Sequence, residues 1–376
     1  MALLHKHNIS IALTSYESGL LYFLGRNQNG GINIHKTGLP KPMGLSVDPH
    51  EGRNALTLTC GYQIMRFENV LQENQAINNT FDACYVPRTV HLTGQLDAHD
   101  VGLDADGQVV FVNTRFNCLA TTSAQHSFAE VWTPPFITGH SGGTAPAEGP
   151  ILVDEDRCHL NGLAMQDGAP RYVTAVSRSN TIDGWRDRRR DGGVVIDVQS
   201  GEIVCEGLSM PHSPRLHNGQ LYLLNAGTGE FGSVEFDEAP NGSANNNIGR
   251  FKPLAFCPGF LRGLSFHGNL AFVGLSRPRY KRFEGLDLEQ RLKDADSEAW
   301  CGIQIIDLTT GACVDWFRID GKIGELYDVE VIPGVVCPMA VPPTSNEAAQ
   351  LVTYKDMIID TVPKTAIPAE GKENLI

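Results

Sequence analysis

Three histidines, His99, His159 and His212, each stand just ahead of a short apolar run that contains a glycine and a turn. Imidazole side chains that converge from separate segments can bind a transition metal on one face and leave the other open to substrate or water. We therefore expect a divalent transition metal, with Fe(II) favoured over Mn or Zn. Asp100 directly follows His99, and Asp328 directly follows Tyr327. Both aspartates are expected to orient an imidazole or to act as a catalytic base.

A second set of residues predicts that the substrate is an anion. Arg115, Arg178 and Arg277 occupy matching positions in NTRFN, VSRSN and LSRPR, and Arg262 lies in LRGL. Guanidinium groups pair with carboxylates or phosphates through two parallel hydrogen bonds. These four arginines are the expected binding groups for a small anionic substrate.

Further substrate contacts are expected from the same segments and from two long loops. Asn161 and Tyr327 lie beside the histidine positions, and Trp185, Arg186 and Tyr280 belong to the loops 177–193 and 276–300. Long loops on a rigid scaffold often cover a ligand.

The elements that must position these side chains form a sequence repeat. A first residue is followed by Gly-Leu or a close equivalent, a turn and an apolar strand, as in HDVGLDADGQVVFVNT and HLNGLAMQDGAPRYVTAV. Six copies occur, and their first residues are Lys41, His99, His159, His212, Phe260 and Tyr327. Their spacing is typical of four-stranded propeller blades with variable loops. The sequence therefore predicts an all-β, six-bladed β-propeller whose inner strands carry the three histidines.

The sixth copy, YDVEVIPG, has no partner strands after it. The N-terminal runs IALTSY, LLYFLG and INIHKT are expected to supply them, so that one C-terminal inner strand and three N-terminal outer strands close the ring. The predicted domain covers residues 1–338. Residues 339–376 lose the repeat and are expected to form a tail.

Composition excludes several classes of protein. The 376 residues carry a formal net charge of −13, which argues against a nucleic-acid partner. No apolar stretch is long enough to span a membrane, so we expect no membrane partner. The nine cysteines are scattered singly, as expected of reduced thiols in a cytoplasmic protein. The oligomeric state cannot be deduced from these features.

Four strings give the chain a family resemblance: EDRCHLNGLAM, GWRDRRRDGGVVIDV, LSMPHSPRLHNGQLYLLNAGTGEFG and PGFLRGLSFHGNLAFVGLSRPR. They resemble those of an uncharacterised family of bacterial conserved hypothetical proteins over roughly residues 10 to 338. The resemblance supports the propeller and the choice of histidines and arginines, but it implies no activity.

Our leading hypothesis from the sequence is a metal-dependent oxygenase, lyase or isomerase that acts on a small carboxylate- or phosphate-bearing substrate. One alternative is a non-catalytic propeller that binds a peptide or glycan. Another is a metal-free hydrolase or lactonase that uses Asp and His as acid–base groups.

Overall fold

Short antiparallel strands, each paired with its neighbour in sequence, form most of the chain. The structure is a computed structural model and describes residues 2–50, 53–138, 152–236, 248–278, 283–354 and 357–360. Helix α1 (Ala2–His7) precedes the first strand. The strands of the protein form six sheets, which are the blades of a six-bladed β-propeller, and one small separate hairpin. This confirms the predicted fold class and blade count.

The strands follow one another in chain order around the ring. The first three are β1 (Ile9–Ser15), β2 (Leu20–Arg26) and β3 (Ile32–Gly38). Blade 1 contains β4 (Pro42–His50), β5 (Arg53–Cys60), β6 (Gln63–Asn69) and β7 (Ala83–Leu92). Blade 2 contains β8 (Ala98–Leu103), β9 (Val109–Asn113), β10 (Cys118–Thr121) and β11 (Ala129–Trp132). Blade 3 contains β12 (Leu160–Gln166), β13 (Ala169–Ala175), β14 (Gly193–Asp197) and β15 (Ile203–Leu208).

The second half of the ring repeats this plan. Blade 4 contains β16 (Pro211–His217), β17 (Gln220–Asn225), β18 (Glu230–Glu235) and β19 (Arg250–Phe256). Blade 5 contains β20 (Phe260–His267), β21 (Leu270–Ser276), β22 (Gly302–Asp307) and β23 (Cys313–Arg318), with helix α2 (Leu288–Asp294) between β21 and β22. Blade 6 combines β24 (Asp328–Pro333) with β1, β2 and β3.

Blade 6 closes the ring as the repeat predicts. Strand β24 pairs antiparallel with β1, from Ile9 opposite Pro333 to Thr14 opposite Asp328. Closure of this kind gives the inner strands of the first and last blades a neighbour on both sides.

Each inner strand of blades 1 to 5 has a register irregularity near its start, before the regular pairing resumes. Glycines at these irregularities let neighbouring inner strands approach closely. A Cβ on Gly162 would lie 2.3 Å from Cδ of Pro214, and one on Gly263, whose φ is +81°, would lie 2.5 Å from the backbone nitrogen of Val329. The recurring Gly of the repeat is therefore required by contact between adjacent blades.

The cores of the molecule lie mainly between blades, where side chains from facing sheets pack together. One cluster joins Val112 of blade 2 to Leu160 and Val173 of blade 3, and another joins Leu264 of blade 5 to Leu224 of blade 4. Such packing fixes each blade against the next and leaves the first residues of the inner strands around one mouth of the central channel. Among the described residues, no helix is both long and apolar enough to span a membrane.

The residues after β24 extend the propeller. Strand β25 (Pro338–Ala340) pairs parallel with β7, which makes blade 1 five-stranded. Asp82 accepts hydrogen bonds from the backbone nitrogens of Val336 and Cys337, and Arg26 of β2 donates its backbone N–H to the Val336 carbonyl. The predicted boundary at 338 therefore falls inside a strand that links blade 1 to blade 6. Helix α3 (Asn346–Gln350) and the hairpin of β26 (Leu351–Tyr354) and β27 (Met357–Asp360) follow.

Candidate functional site

A cavity of about 580 Å³ lies at the mouth formed by the first residues of the inner strands. It is within the size range of pockets that bind small molecules. Seven of the residues expected to bind a metal or the substrate line it: His99, His159, Trp185, Arg186, Arg262, Arg277 and Tyr327. The structure thus brings residues from five parts of the chain to one cavity.

His99 is buried, with its ring orientation fixed by hydrogen bonds. Its Nδ1 lies 2.7 Å from the backbone oxygen of Asp97 and 2.8 Å from Oγ1 of Thr114. The Thr114 hydroxyl itself donates to the Leu160 carbonyl, so it is free to accept from the ring N–H. A proton on Nδ1 leaves Nε2 unprotonated. Burial lowers the pKa of His99 to about 4, so the ring is neutral at pH 7.

His212 repeats the backbone contact of His99 in blade 4. Its Nδ1 lies 2.8 Å from the carbonyl oxygen of Met210, again two residues earlier. In both cases the residue that supplies the carbonyl has a left-handed backbone, with φ of 53° at Asp97 and 49° at Met210. Burial lowers the pKa of His212 well below its ordinary value.

The Nε2 atom of His212 also has a partner. The side-chain amide nitrogen of Asn161 lies 3.5 Å from it, and Thr174 fixes the amide by donating to the Asn161 oxygen. Neither His212 nor Asn161 is among the residues that line the cavity. His212 therefore lies beside the cavity, where its ring contacts Phe260 edge-on at 5.5 Å between centroids.

His159 has a different arrangement, because the left-handed residue is His159 itself, with φ of 53°. Its Nδ1 lies 2.7 Å from Oδ2 of Asp156, and Oδ1 of the same carboxylate accepts the His159 backbone N–H. A carboxylate on Nδ1 fixes the tautomer and stabilises the charged ring once Nε2 accepts a proton.

The ring of His159 is enclosed by aromatic neighbours. It stacks on Trp185 with centroids 4.2 Å apart and meets His99 edge-on at 5.0 Å. On Trp185 lies the guanidinium of Arg186, 4.4 Å from the ring centroid. The loop that carries Trp185 is attached to the same region, because the Asp183 backbone N–H donates to the Asp156 carbonyl. His159, its carboxylate and its aromatic cover are thus one connected unit.

Arg262 is the buried cation of the cavity. It is 6% exposed, and its guanidinium lies 4.8 Å from the ring centroid of Tyr327 and 5.4 Å from that of Phe260. Its Nε and Nη1 are buried and have no hydrogen-bond partner among the described residues. A buried guanidinium with unsatisfied N–H groups is costly unless an acceptor binds to it. The guanidinium therefore has hydrogen-bonding capacity that its described neighbours leave unused.

Arg277 lies on the same blade, directly after β21, and also lines the cavity. Its Nη2 donates to the backbone oxygens of Gly321 and Ile323, at 2.7 and 2.6 Å. These contacts hold the side chain in place without neutralising its charge.

Two of the predicted substrate arginines lie elsewhere. Arg115 forms an exposed bidentate ion pair with Asp154 and is not part of the cavity wall. Arg178 lines a separate surface pocket together with Arg188. Of the four arginines expected to bind the substrate, the structure therefore brings Arg262 and Arg277 to the cavity and places Arg115 and Arg178 elsewhere. Tyr280 lies outside the described residues.

The two predicted catalytic aspartates contact Arg215 deeper in the channel instead of an imidazole. Asp100 receives two hydrogen bonds from Arg215, at 2.8 and 3.2 Å, and Asp328 lies 3.8 Å from the same guanidinium. Asp100 also accepts the backbone N–H of Leu163, and Asp328 accepts that of Leu45. These carboxylates join inner strands of neighbouring blades, which is a structural role.

The histidines do not form the predicted three-ligand arrangement in this geometry. Within the described ranges, no group of three or more His, Cys, Asp or Glu side chains is placed to hold a metal ion. His99 and His159 are adjacent, whereas both nitrogens of His212 face protein partners. The metal and its identity remain predictions.

Asp156 is the residue of the candidate site that sequence reasoning missed. It lies three residues before His159 in EDRCHLNG, within one of the strings that carry the family resemblance. A carboxylate at this distance reaches the ring because the intervening residues turn sharply into the left-handed backbone of His159. An acid three residues before a candidate histidine was the available signal.

Comparison with solved structures supports the fold alone. A chain of a nidogen–laminin complex is 12% identical, with a TM-score of 0.50 over 87% of this chain and 98% of that one. A gluconolactonase from Xanthomonas campestris is 11% identical, with a TM-score of 0.46 over 83% and 86% of the two chains. Virginiamycin B lyase from Staphylococcus aureus is 12% identical, with a TM-score of 0.40 over 83% and 82%.

No curated protein matches the sequence. Residues 1–341, which include the whole six-bladed ring and every residue of the cavity, match the family described as a domain of unknown function, DUF4915. The chain therefore belongs to the DUF4915 family.

Proposed function

We propose that the protein is an enzyme that binds a small carboxylate- or phosphate-bearing substrate in the mouth cavity and transfers a proton with His159. One observation carries the proposal. The same cavity is lined by Arg262, whose buried Nε and Nη1 have no hydrogen-bond partner within the described part of the chain, and by the paired side chains of His159 and Asp156. Binding sites for anions and proton-transfer groups commonly share a cleft in this way.

In this proposal His159 is the general base. Its Nδ1–H donates to Asp156, so Nε2 accepts a proton from the substrate or from water that attacks it. The Asp156 carboxylate stabilises the imidazolium that forms, and the same ring then returns the proton to the leaving atom. Trp185 covers one face of the ring and limits its contact with bulk water.

Arg262 supplies the electrostatic part of the mechanism. Its N–H groups are fixed against Tyr327 and Phe260 before substrate binds, so they need no reorganisation to stabilise negative charge. His99 stays neutral beside His159, which avoids repulsion when His159 becomes protonated.

A metal-dependent reaction is the second candidate. One observation favours it: in each of His99, His159 and His212, an oxygen acceptor contacts Nδ1. Many metal-binding histidines have such a contact on the ring nitrogen that does not bind the metal. The predicted metal, Fe(II) in preference to Mn or Zn, would require the His212 ring to leave Asn161.

The two candidates are separated by one experiment. Protein dialysed against a chelator is incubated in D₂O with a panel of hydroxy acids, unsaturated acids, phosphorylated acids and lactones, and proton NMR follows C–H exchange, elimination or ring opening. We expect a reaction that persists after chelation and is lost in His159→Gln, with Arg115→Met as a matched control that retains it. Loss of the reaction on chelation and recovery with Fe(II) would refute the metal-free proposal. Binding without reaction would favour the non-catalytic module.

A further inference from the structure

Arg262 presents its edge to a ligand, because aromatic rings lie against its guanidinium. The rings are those of Tyr327 and Phe260, with centroids 4.8 and 5.4 Å from the guanidinium carbon. Two hydrogen-bonding atoms on the guanidinium, Nε and Nη1, have no partner among the described residues. A guanidinium packed against rings offers hydrogen bonds in its own plane, which carboxylate and phosphate groups both accept. The single charge of a carboxylate matches that of Arg262, whereas a phosphate monoester carries about −1.5 to −2 at pH 7 and costs more to bury.

Beside Arg262 the cavity wall is apolar. Phe260 stacks with Phe283 at 6.2 Å between centroids, and Leu286 and Met210 extend this surface. Phe283 and Met210 are 8% and 7% exposed, so each presents a small part of its side chain to the cavity and packs the rest against the protein. A wall of this kind binds apolar groups, since their transfer out of water is favourable.

The cavity also contains a hydrogen-bond donor on Trp185. Trp185 lines the cavity, and its Nε1 is buried without a hydrogen-bond partner among the described residues. The cavity volume, about 580 Å³, greatly exceeds that of a carboxylate alone. The site therefore has room for a ring-sized body between the apolar wall and His159.

From these observations we infer that the ligand is a carboxylate with an apolar, ring-sized body. The inference rests on the proposed function only in placing the ligand in the same cavity. The carboxylate binds Arg262, the body packs against Phe260 and Phe283, and the remaining polar group of the ligand faces Trp185 and His159. A sugar acid or an inorganic anion lacks the apolar body, and an alcohol lacks the charge.

Isothermal titration calorimetry with four probes tests this ligand class. The probes are 3-phenylpropionate, 3-phenylpropanol, phenyl phosphate and gluconate, each titrated into the full chain at pH 7.5. We expect 3-phenylpropionate to bind at least about tenfold more tightly than each of the others. Equal or tighter binding of phenyl phosphate would overturn the preference for a carboxylate. Equal or tighter binding of gluconate would overturn the apolar body, and absence of binding by all four would overturn the site.

Variants of the cavity residues test where 3-phenylpropionate binds. Arg262→Met is expected to reduce the affinity for 3-phenylpropionate at least about tenfold and to leave that for 3-phenylpropanol unchanged, whereas Arg250→Met, on exposed strand β19, changes neither. Phe283→Ala is expected to weaken 3-phenylpropionate more than gluconate. Should Arg262→Met fail to fold, Arg262→Lys replaces it, because lysine keeps the charge and loses the planar fork. Unchanged affinity in a folded Arg262 variant would overturn the inference.

The result also distinguishes this inference from the proposed function. Selective binding of 3-phenylpropionate together with no proton transfer to any substrate would support the ligand class and refute the enzyme. Proton transfer lost in His159→Gln, combined with a preference for gluconate, would support the enzyme and refute the ligand class.

Discussion

Arg215 is the cation on which the buried carboxylates of the channel depend, and its removal gives the most quantitative prediction. Asp100 and Asp328 are each 3% exposed, and Glu330 lies in the same cluster. Arg215→Met leaves these groups without a cation and keeps an apolar side chain of similar length. Removal of one partner from a buried ion pair costs about 3–5 kcal/mol.

This free-energy cost corresponds to a decrease in the melting temperature. Unfolding entropy is about 2.1 cal/mol/K per residue, which for 376 residues gives about 0.8 kcal/mol/K. We therefore expect Arg215→Met to melt about 4–6 °C below the wild type at pH 8, measured by differential scanning calorimetry. Arg318→Met, which removes an exposed ion pair with Asp320, is the control and is expected to change the melting temperature by less than about 1 °C.

The decrease in melting temperature caused by Arg215→Met should depend on pH. Burial raises the pKa of Asp328 to about 7 and that of Glu330 well above its ordinary value. A carboxyl whose pKa is raised by folding stabilises the fold fully below its unfolded pKa, and this contribution disappears as the pH rises through the folded pKa. Protonated carboxyls need no cation, so the effect of Arg215→Met should shrink at pH 5. A loss of equal size at both pH values, or none at pH 8, would refute the reasoning.

Three further predictions concern the site and its supports. Burial lowers the pKa of His99 to about 4, so the contribution of this ring to stability is present above about pH 6.5 and is lost as the pH falls toward 4. We expect ¹⁵N NMR to show a neutral His99 ring at pH 5.5. A protonated ring at that pH would contradict this prediction. Gly162→Ala should destabilise the fold by about 1–3 kcal/mol in urea unfolding, whereas Gly38→Ala, with open space around its Cβ, should have little effect; equal effects would rule out crowding. A chain that ends at Val341 should have the same melting temperature as the full-length protein. A chain that ends at Gly334 should have a lower melting temperature because it lacks β25. Equal melting temperatures of the two shortened chains would show that β25 adds no stability.

The architecture could be predicted because its signal is periodic. Six copies of one pattern, four of them with a glycine where adjacent inner strands touch, specify the blades and their order. The closure by β24 with β1 followed from counting strands. Strand β25 could not be found in this way, since it lies outside the repeat and pairs parallel to β7 through three residues.

The site was predictable in part, for a physical reason. A repeat position places a residue at the mouth, and His99, His159 and Tyr327 are found there. Whether a side chain then faces the cavity or a neighbour depends on the local backbone, which no spacing reveals. Asp100 of blade 2 accepts a hydrogen bond from Arg215 of blade 4, and Arg115 pairs with Asp154, 39 residues later in the sequence. Such long-range partners depend on the fold as a whole.

The central claim is that Arg262 and His159 act on one ligand in one cavity. The most direct measurement is a crystal structure of the protein grown with a saturating concentration of 3-phenylpropionate. The account predicts a carboxylate in the plane of the Arg262 guanidinium, with the phenyl ring against Phe260 and Phe283 and the chain passing beside His159. A ligand bound elsewhere, or an Arg262 side chain paired with a carboxylate of the protein itself, would contradict it.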